Sequence, residues 1–130
     1  MTNGKSVIML VDDNMANLTI GKNILKDQFT VYPITSGEKL FEIMEKIKPD
    51  LILLDINMPG MDGYEVIKKL KASPYMQNIP VIFLTSRDDP GNELEGLSLG
   101  AIDYISKPFS PALLIQRIKN YLMLASCIKA

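Results

Sequence analysis

Apolar and polar positions alternate along this chain in two rhythms. Five short stretches, Ser6 to Val11, Thr30 to Ile34, Leu51 to Asp55, Pro80 to Thr85 and Ile102 to Ser106, are rich in strand-forming apolar residues and end at turn or polar residues. Runs of this length read as strands, and the unbroken Leu51-Ile52-Leu53-Leu54 reads as one buried on both faces at the centre of a parallel sheet. Between the runs, apolar residues recur at helical spacing. Met15, Leu18 and Leu25 share a predicted face of a first helix reaching about Asp27. Ser36 is placed to cap a second helix that buries Leu40, Phe41, Met44 and Ile47 and stops at Pro49. Asp62 can cap a third, with Val66, Ile67 and Leu70 inward and a break at Ser73-Pro74. Asn92 to Leu99 predicts a short, weakly amphipathic fourth helix closed by Gly100. Ser110-Pro111 opens the last one, with Leu114, Ile115, Ile118, Tyr121, Leu122 and Ala125 as its stripe.

Strict alternation of strands and helices demands a parallel sheet with helices on both faces, because each right-handed crossover packs a helix against it. The most apolar strands, one and three, belong at the centre, and the second, which carries Pro33, suits an edge. The predicted architecture is a flavodoxin-like (βα)5 doubly wound α/β sheet of order 2-1-3-4-5, with its switch point between strands one and three. Residues 1–130 are expected to form one domain, with a core from about 6 to 125.

Composition narrows the chemistry. Fourteen Lys and Arg balance fifteen Asp and Glu for a net charge of −1, so the basic footprint of a nucleic-acid binder is missing and no direct nucleic-acid binding is expected. The chain has no His, which excludes a Ser-His-Asp triad and any imidazole metal site, and the single Cys127 excludes thiol clusters. A metal held here is held by oxygen. The polar N-terminus leads into an apolar run that Asp12 cuts off, too short for a signal peptide or a span, so a cytoplasmic location without membrane attachment is expected.

All strand C-termini of a parallel sheet lie on one edge, and here they carry Asp12 and Asp13, Asp55, Thr85 and Lys107. Two carboxylates about 6 Å apart repel by roughly 3 kcal/mol at an effective dielectric near 20, so the cluster needs a cation or a proton. An all-oxygen set with loop carbonyls beside it suits a hard divalent ion, Mg2+ first and Mn2+ as substitute. Such an ion bridges carboxylates to phosphoryl oxygens, which makes Asp55 the nucleophile, with Lys107 as point charge and Thr85 as hydroxyl donor. Taken singly, each has a blander role: Asp13 or Asn14 as a helix cap, Thr85 and Asp55 as strand termini, Lys107 as a solvated cation.

The pieces Val11-Asp12-Asp13-Asn14, Leu53 to Gly63 (LLDINMPGMDG), Leu84-Thr85-Ser86 and Gly100 to Phe109 (GAIDYISKPF) resemble the receiver domain of two-component response regulators, and the resemblance runs from Val7 to about Leu124. It implies that Asp55 accepts a phosphoryl group from a phosphohistidine of a sensor histidine kinase or phosphotransfer protein. It implies Mg2+ at Asp13, Asp55 and the Asn57 carbonyl, with Asp12 acting through water, and phosphoryl contacts from Thr85 and Lys107. It further implies a cis Lys107-Pro108 peptide, and a switch in which Thr85 is drawn inward and Tyr104 follows. The face of the fourth and fifth helices and fifth strand would then signal to a downstream effector domain or protein, or form a homodimer. Met123, Leu124 and Ile128 add a second apolar side to the last helix, which suits such a contact. Apart from its own phosphorylation and dephosphorylation, no enzymatic activity is expected. A dehalogenase-like phosphatase would need an acid where Asn57 stands, and a flavodoxin would need a phosphate loop where Asp12-Asp13 stand. A phosphorylation-independent binding module is the remaining alternative.

Overall fold

The computed structural model describes residues 5–85, 97–107 and 110–129, the last four by backbone alone. Five strands, β1 (Val7–Val11), β2 (Thr30–Ile34), β3 (Leu51–Asp55), β4 (Val81–Thr85) and β5 (Asp103–Ser106), form one parallel sheet of order β2-β1-β3-β4-β5. Helices α1 (Met15–Leu25), α2 (Gly37–Met44) and α3 (Gly63–Ala72) and a C-terminal helix (Pro111–Lys129) cover it. The expected order is observed, with Pro33 on the edge strand β2.

The two-residue period of the strands divides the core. Met9 and Val11, Ile52 and Leu54, and Val81 and Phe83 face one way and pack with Leu40 of α2 and Val66, Ile67 and Leu70 of α3. Ile8 and Leu10, Leu51 and Leu53, and Ile82 and Leu84 face the other way, onto Leu18 and Leu25 of α1 and Leu114 and Ile118 of the C-terminal helix. A strand covered on both faces has no position for a polar residue, which is why β3 is buried at all five of its residues and polar only where it ends.

The caps lie where the sequence suggests. Ser36 accepts a hydrogen bond from the Lys39 amide, and Asp62 Oδ1 accepts one from Glu65 at 2.9 Å. Gly100 takes φ of +112°, and its amide donates to the Leu97 carbonyl, as expected of a helix C-cap. Most of the predicted fourth helix, the loop from Ser86 and the Lys107-Pro108 peptide lie outside the described residues. Several bounds move: α1 ends at Leu25, α2 at Met44 ahead of Pro49, and β1, β4 and β5 each begin one residue later than expected. One face assignment is corrected. Met15 is 65% exposed: it is the first residue of α1, in the turn by which the chain enters the helix, and the buried face begins one turn later, with Leu18, Gly21 and Leu25.

Candidate functional site: an acid cluster at the strand ends

Sheet register brings the acids together. β1 and β3 are neighbours, paired from Ile8↔Leu51 to Val11↔Leu54, so the residues following Val11 and Leu54 stand side by side. Asp12 is fixed by its backbone amide, which donates to the Ile34 carbonyl of β2 at 3.0 Å. Its side chain then turns into the site, where Oδ1 accepts the Asn14 amide at 2.9 Å and Oδ2 accepts Lys107 Nζ at 2.9 Å. Asn14 is the residue that caps α1, accepting from the Asn17 amide at 3.1 Å. The capping alternative is thereby settled on Asn14, and Asp13 carries no described capping bond. Carboxylate oxygens of Asp12, Asp13 and Asp55 lie within 4.8 Å of one another; Asp12 and Asp55 are buried, and Asp13 is exposed.

From the other side of β3, Thr85 ends β4 almost fully buried, and its carbonyl accepts the Lys107 amide at 2.8 Å. That bond fixes the start of the lysine side chain, whose ammonium reaches Asp12 at 2.9 Å and Asp55 Oδ1 at 3.0 Å. Among the described residues, this ammonium bonds two of the three carboxylates, and Asp13 lies beside them. Burial pushes the Asp55 carboxyl up to about 6; the Lys107 hydrogen bond opposes this, and the nearby charges of Asp12 and Asp13 add to it. Burial by itself would lower the Lys107 ammonium, but its hydrogen bonds to Asp12 and Asp55 outweigh burial and leave it above its ordinary value. Asn57 is exposed in the loop two residues beyond Asp55.

The donor set is all oxygen, buried on one side and open at Asp13 on the other, which fits a hard divalent ion that keeps part of its water shell. The residues therefore suit Mg2+ or Mn2+.

Two features were not read from the sequence. Gly63 begins α3 so close to β3 that a Cβ there would stand 2.7 Å from the Asp55 carbonyl oxygen and 2.8 Å from Ile56 Cα. Its amide donates to the Ile56 carbonyl at 2.8 Å, so only glycine lets α3 begin against the strand end that carries the acid. The half-buried Tyr104 packs its ring on Phe83 at a centroid distance of 5.6 Å, and its hydroxyl meets the Tyr64 hydroxyl at 3.3 Å. The Tyr64 ring packs edge-on against the same Phe83, also at 5.6 Å. Nothing in the spacing of Tyr64 and Tyr104 signals this contact before the fold is known.

Comparison with known proteins agrees with this geometry. Residues 8–119 match the family model of the response regulator receiver domain. Over 115 residues the chain is 42% identical to a Vibrio cholerae protein named "Probable cyclic di-GMP phosphodiesterase", covering 88% of this chain and 26% of that protein. The chain spans about a quarter of the length of the curated relatives it matches first, 26% and 25%. Among solved structures, the signal receiver domain of a signal transduction histidine kinase from Syntrophus aciditrophicus superposes with a TM-score of 0.83 at 33% identity, covering 91% of this chain and 90% of that one. The receiver domain of the sensor histidine kinase PA1611 from Pseudomonas aeruginosa, solved with magnesium coordinated in its active-site cleft, superposes with a TM-score of 0.83 at 28% identity, covering 92% and 98%. With the acid cluster, the strand order and the match all in agreement, the chain belongs to the response regulator receiver domain family.

Proposed function

We propose that this receiver domain is a phosphoacceptor whose nucleophile is Asp55. The observation that carries the reading is three carboxylates within 4.8 Å of one another with the Lys107 ammonium at 2.9 and 3.0 Å from two of them. An Asp55 oxygen forms a bond to the phosphorus of a phosphohistidine on a sensor histidine kinase or phosphotransfer protein. The phosphorus–nitrogen bond of the donor breaks, and the leaving imidazole takes up a proton. Asp55 must be ionised to attack. A carboxyl pushed up to about 6 is mostly ionised at neutral pH, and being poorly solvated it is a better nucleophile than one exposed to water. Lys107, already against Asp55, needs only a short shift to place its charge on a phosphoryl oxygen, and the Thr85 hydroxyl at the adjacent strand end serves another.

Asp12, Asp13, Asp55 and the Asn57 carbonyl would hold Mg2+, with Asp12 acting through water; Mn2+ can substitute. The magnesium in the PA1611 receiver supports this choice. When bound, the ion supplies charge neutralisation for the carboxylates and the incoming phosphoryl oxygens.

Thr85 and Tyr104 form the switch: Thr85 moves toward the phosphoryl group, and Tyr104 swings into the space it vacates, a population shift of one face rather than a new fold. The output goes to an effector domain or protein. The phosphodiesterase activity in one relative's name belongs to a protein of which this chain covers 26%. No described helix is long and apolar enough to cross a membrane; we place the chain in the cytoplasm, where kinase and effector meet.

Intact mass after incubation with acetyl phosphate or phosphoramidate and magnesium tests the reading. The expected result is one added phosphoryl group that requires magnesium and is absent in Asp55→Asn. No gain in mass at a donor excess that labels another receiver would overturn it in favour of a phosphorylation-independent binding module.

A further inference from the structure

We infer that Tyr64 is a positioning residue for the switch: its hydroxyl latches Tyr104 against β4 before any phosphoryl group arrives. The inference rests on the reading of Tyr104 as the switch residue, and it deepens that reading by naming what sets the resting position.

Three contacts carry it. The two hydroxyls meet at 3.3 Å, and both rings pack on Phe83, at 5.6 Å each, so Tyr104 is held by a polar tip and an apolar body together. Phe83 is fully buried and stands two residues before Thr85 on β4, which places both side chains on the same face of that strand. Tyr104 thus already lies on the face of β4 to which Thr85 belongs. Finally, Tyr64 follows Gly63, whose amide bonds the Ile56 carbonyl and whose Cα leaves no room for a side chain beside the Asp55 carbonyl. The latch is therefore mounted on the backbone of the phosphoacceptor strand. A displacement of the β3 end reaches Tyr104 through Gly63 and Tyr64, a route that does not pass through Thr85.

A latch of this kind biases a two-state equilibrium by the net worth of one neutral hydrogen bond, about two- to tenfold in population. The latched position, on the face of β4 to which Thr85 belongs, is the one the phosphorylated state favours, so that bias appears by linkage in the affinity for a phosphoryl mimic. The test uses the full chain with 13C-labelled tyrosine rings, assigned by single Tyr→Phe substitutions. In the metal-free protein, Tyr64→Phe keeps the ring on Phe83 and removes only the hydroxyl, and the Tyr104 ring signals are expected to move. Beryllofluoride with magnesium is then titrated into the native chain, Tyr64→Phe, Tyr104→Phe and the double variant. Tyr64→Phe is expected to weaken beryllofluoride binding about two- to tenfold in the native background. It is expected to have no effect once Tyr104→Phe has removed the other hydroxyl, a cancellation that a general loss of packing would not produce. Tyr104 signals that stay fixed in Tyr64→Phe, or an equal loss in both backgrounds, overturn the latch. Tyr104 signals that move in Tyr64→Phe but ignore beryllofluoride in the native chain overturn the switch reading while leaving the hydroxyl contact in place.

Discussion

Two clusters in this domain pair a basic side chain with acids, and they are built to opposite specifications. At the strand ends, Lys107 is shared between the buried Asp12 and Asp55, with Asp13 close by, so among the described residues the acids outnumber the base three to one. Beside β5, the single carboxylate of Asp103 is served by three donors: Arg117 Nη1 at 3.0 Å, the Tyr121 hydroxyl at 3.0 Å and the Tyr104 amide at 2.8 Å. Arg117 also reaches the Tyr104 carbonyl at 3.2 Å, so this second cluster ties β5 to the C-terminal helix. A carboxylate with both oxygens hydrogen-bonded and its charge paired has little reason to react. A buried carboxylate short of positive charge is poised to take up a cation, a proton or an electrophile. The difference separates chemistry from joinery, although on paper both are salt bridges.

The largest effect should come from removing Lys107 from the acid-rich cluster. Lys107→Met leaves Asp12 and Asp55 buried without their ammonium, and urea denaturation of the metal-free protein at pH 7.5 is expected to show a loss of about 2–4 kcal/mol. Magnesium should restore part of that loss in the variant and stabilise it more than it does the native chain. A loss below about 1 kcal/mol would place Lys107 in the same class as the exposed pair.

The next effect has the opposite sign. Because the Asp55 carboxyl titrates at about 6 in the folded chain and near 3.8 when unfolded, the folded state binds the proton more tightly, and stability falls as pH rises between those values. Above about pH 6, ionised Asp55 is a standing cost. Asp55→Asn cannot ionise, so at pH 8 without metal it should be more stable than the native chain by about 1–2 kcal/mol. That gain should shrink as pH falls through 6 and be gone below about 4. Denaturation midpoints across this range would refute the account if the gain were constant with pH.

Legibility in the sequence follows the same division. Strand order, the caps at Ser36 and Asp62 and the edge position of Pro33 rest on local pattern, and pattern suffices because each depends on a run of neighbours. The acids could be gathered because a parallel sheet puts all strand ends on one edge, so topology alone brings Asp12, Asp13, Asp55, Thr85 and Lys107 together. The exposure of Met15 is not legible because helical periodicity marks a face without saying at which turn that face becomes covered. Gly63, Tyr64 and the Asp103 cluster were missed for a different reason. Each is a contact between elements whose relative depth is set by packing, and a tyrosine or glycine at helical spacing carries no mark of what it meets across a gap. Arg117 and Tyr121, four residues apart on one helix face, were the one available hint of a shared acidic partner.

The smallest expected effect lies in that second cluster. Asp103 and Arg117 are partly exposed, so their pairing is screened by solvent, and Asp103→Asn should cost less than about 1 kcal/mol. Phosphoryl uptake at Asp55 should stay within about twofold of native, since none of the bonds lost touches the acid cluster. A finer readout is available in Tyr121, whose hydroxyl is raised above its ordinary value first by burial and then by its bond to the Asp103 carboxylate and the nearby negative charge, against the opposing Arg117. Asp103→Asn removes the negative charge and leaves burial and a weaker, neutral hydrogen bond, so the ultraviolet titration of Tyr121 should move to lower pH. An unshifted titration would mean that the hydroxyl donates elsewhere in solution. The carboxylate of Asp103 would then keep only Arg117 and the Tyr104 amide, and the distinction between the two clusters would narrow to burial and charge balance.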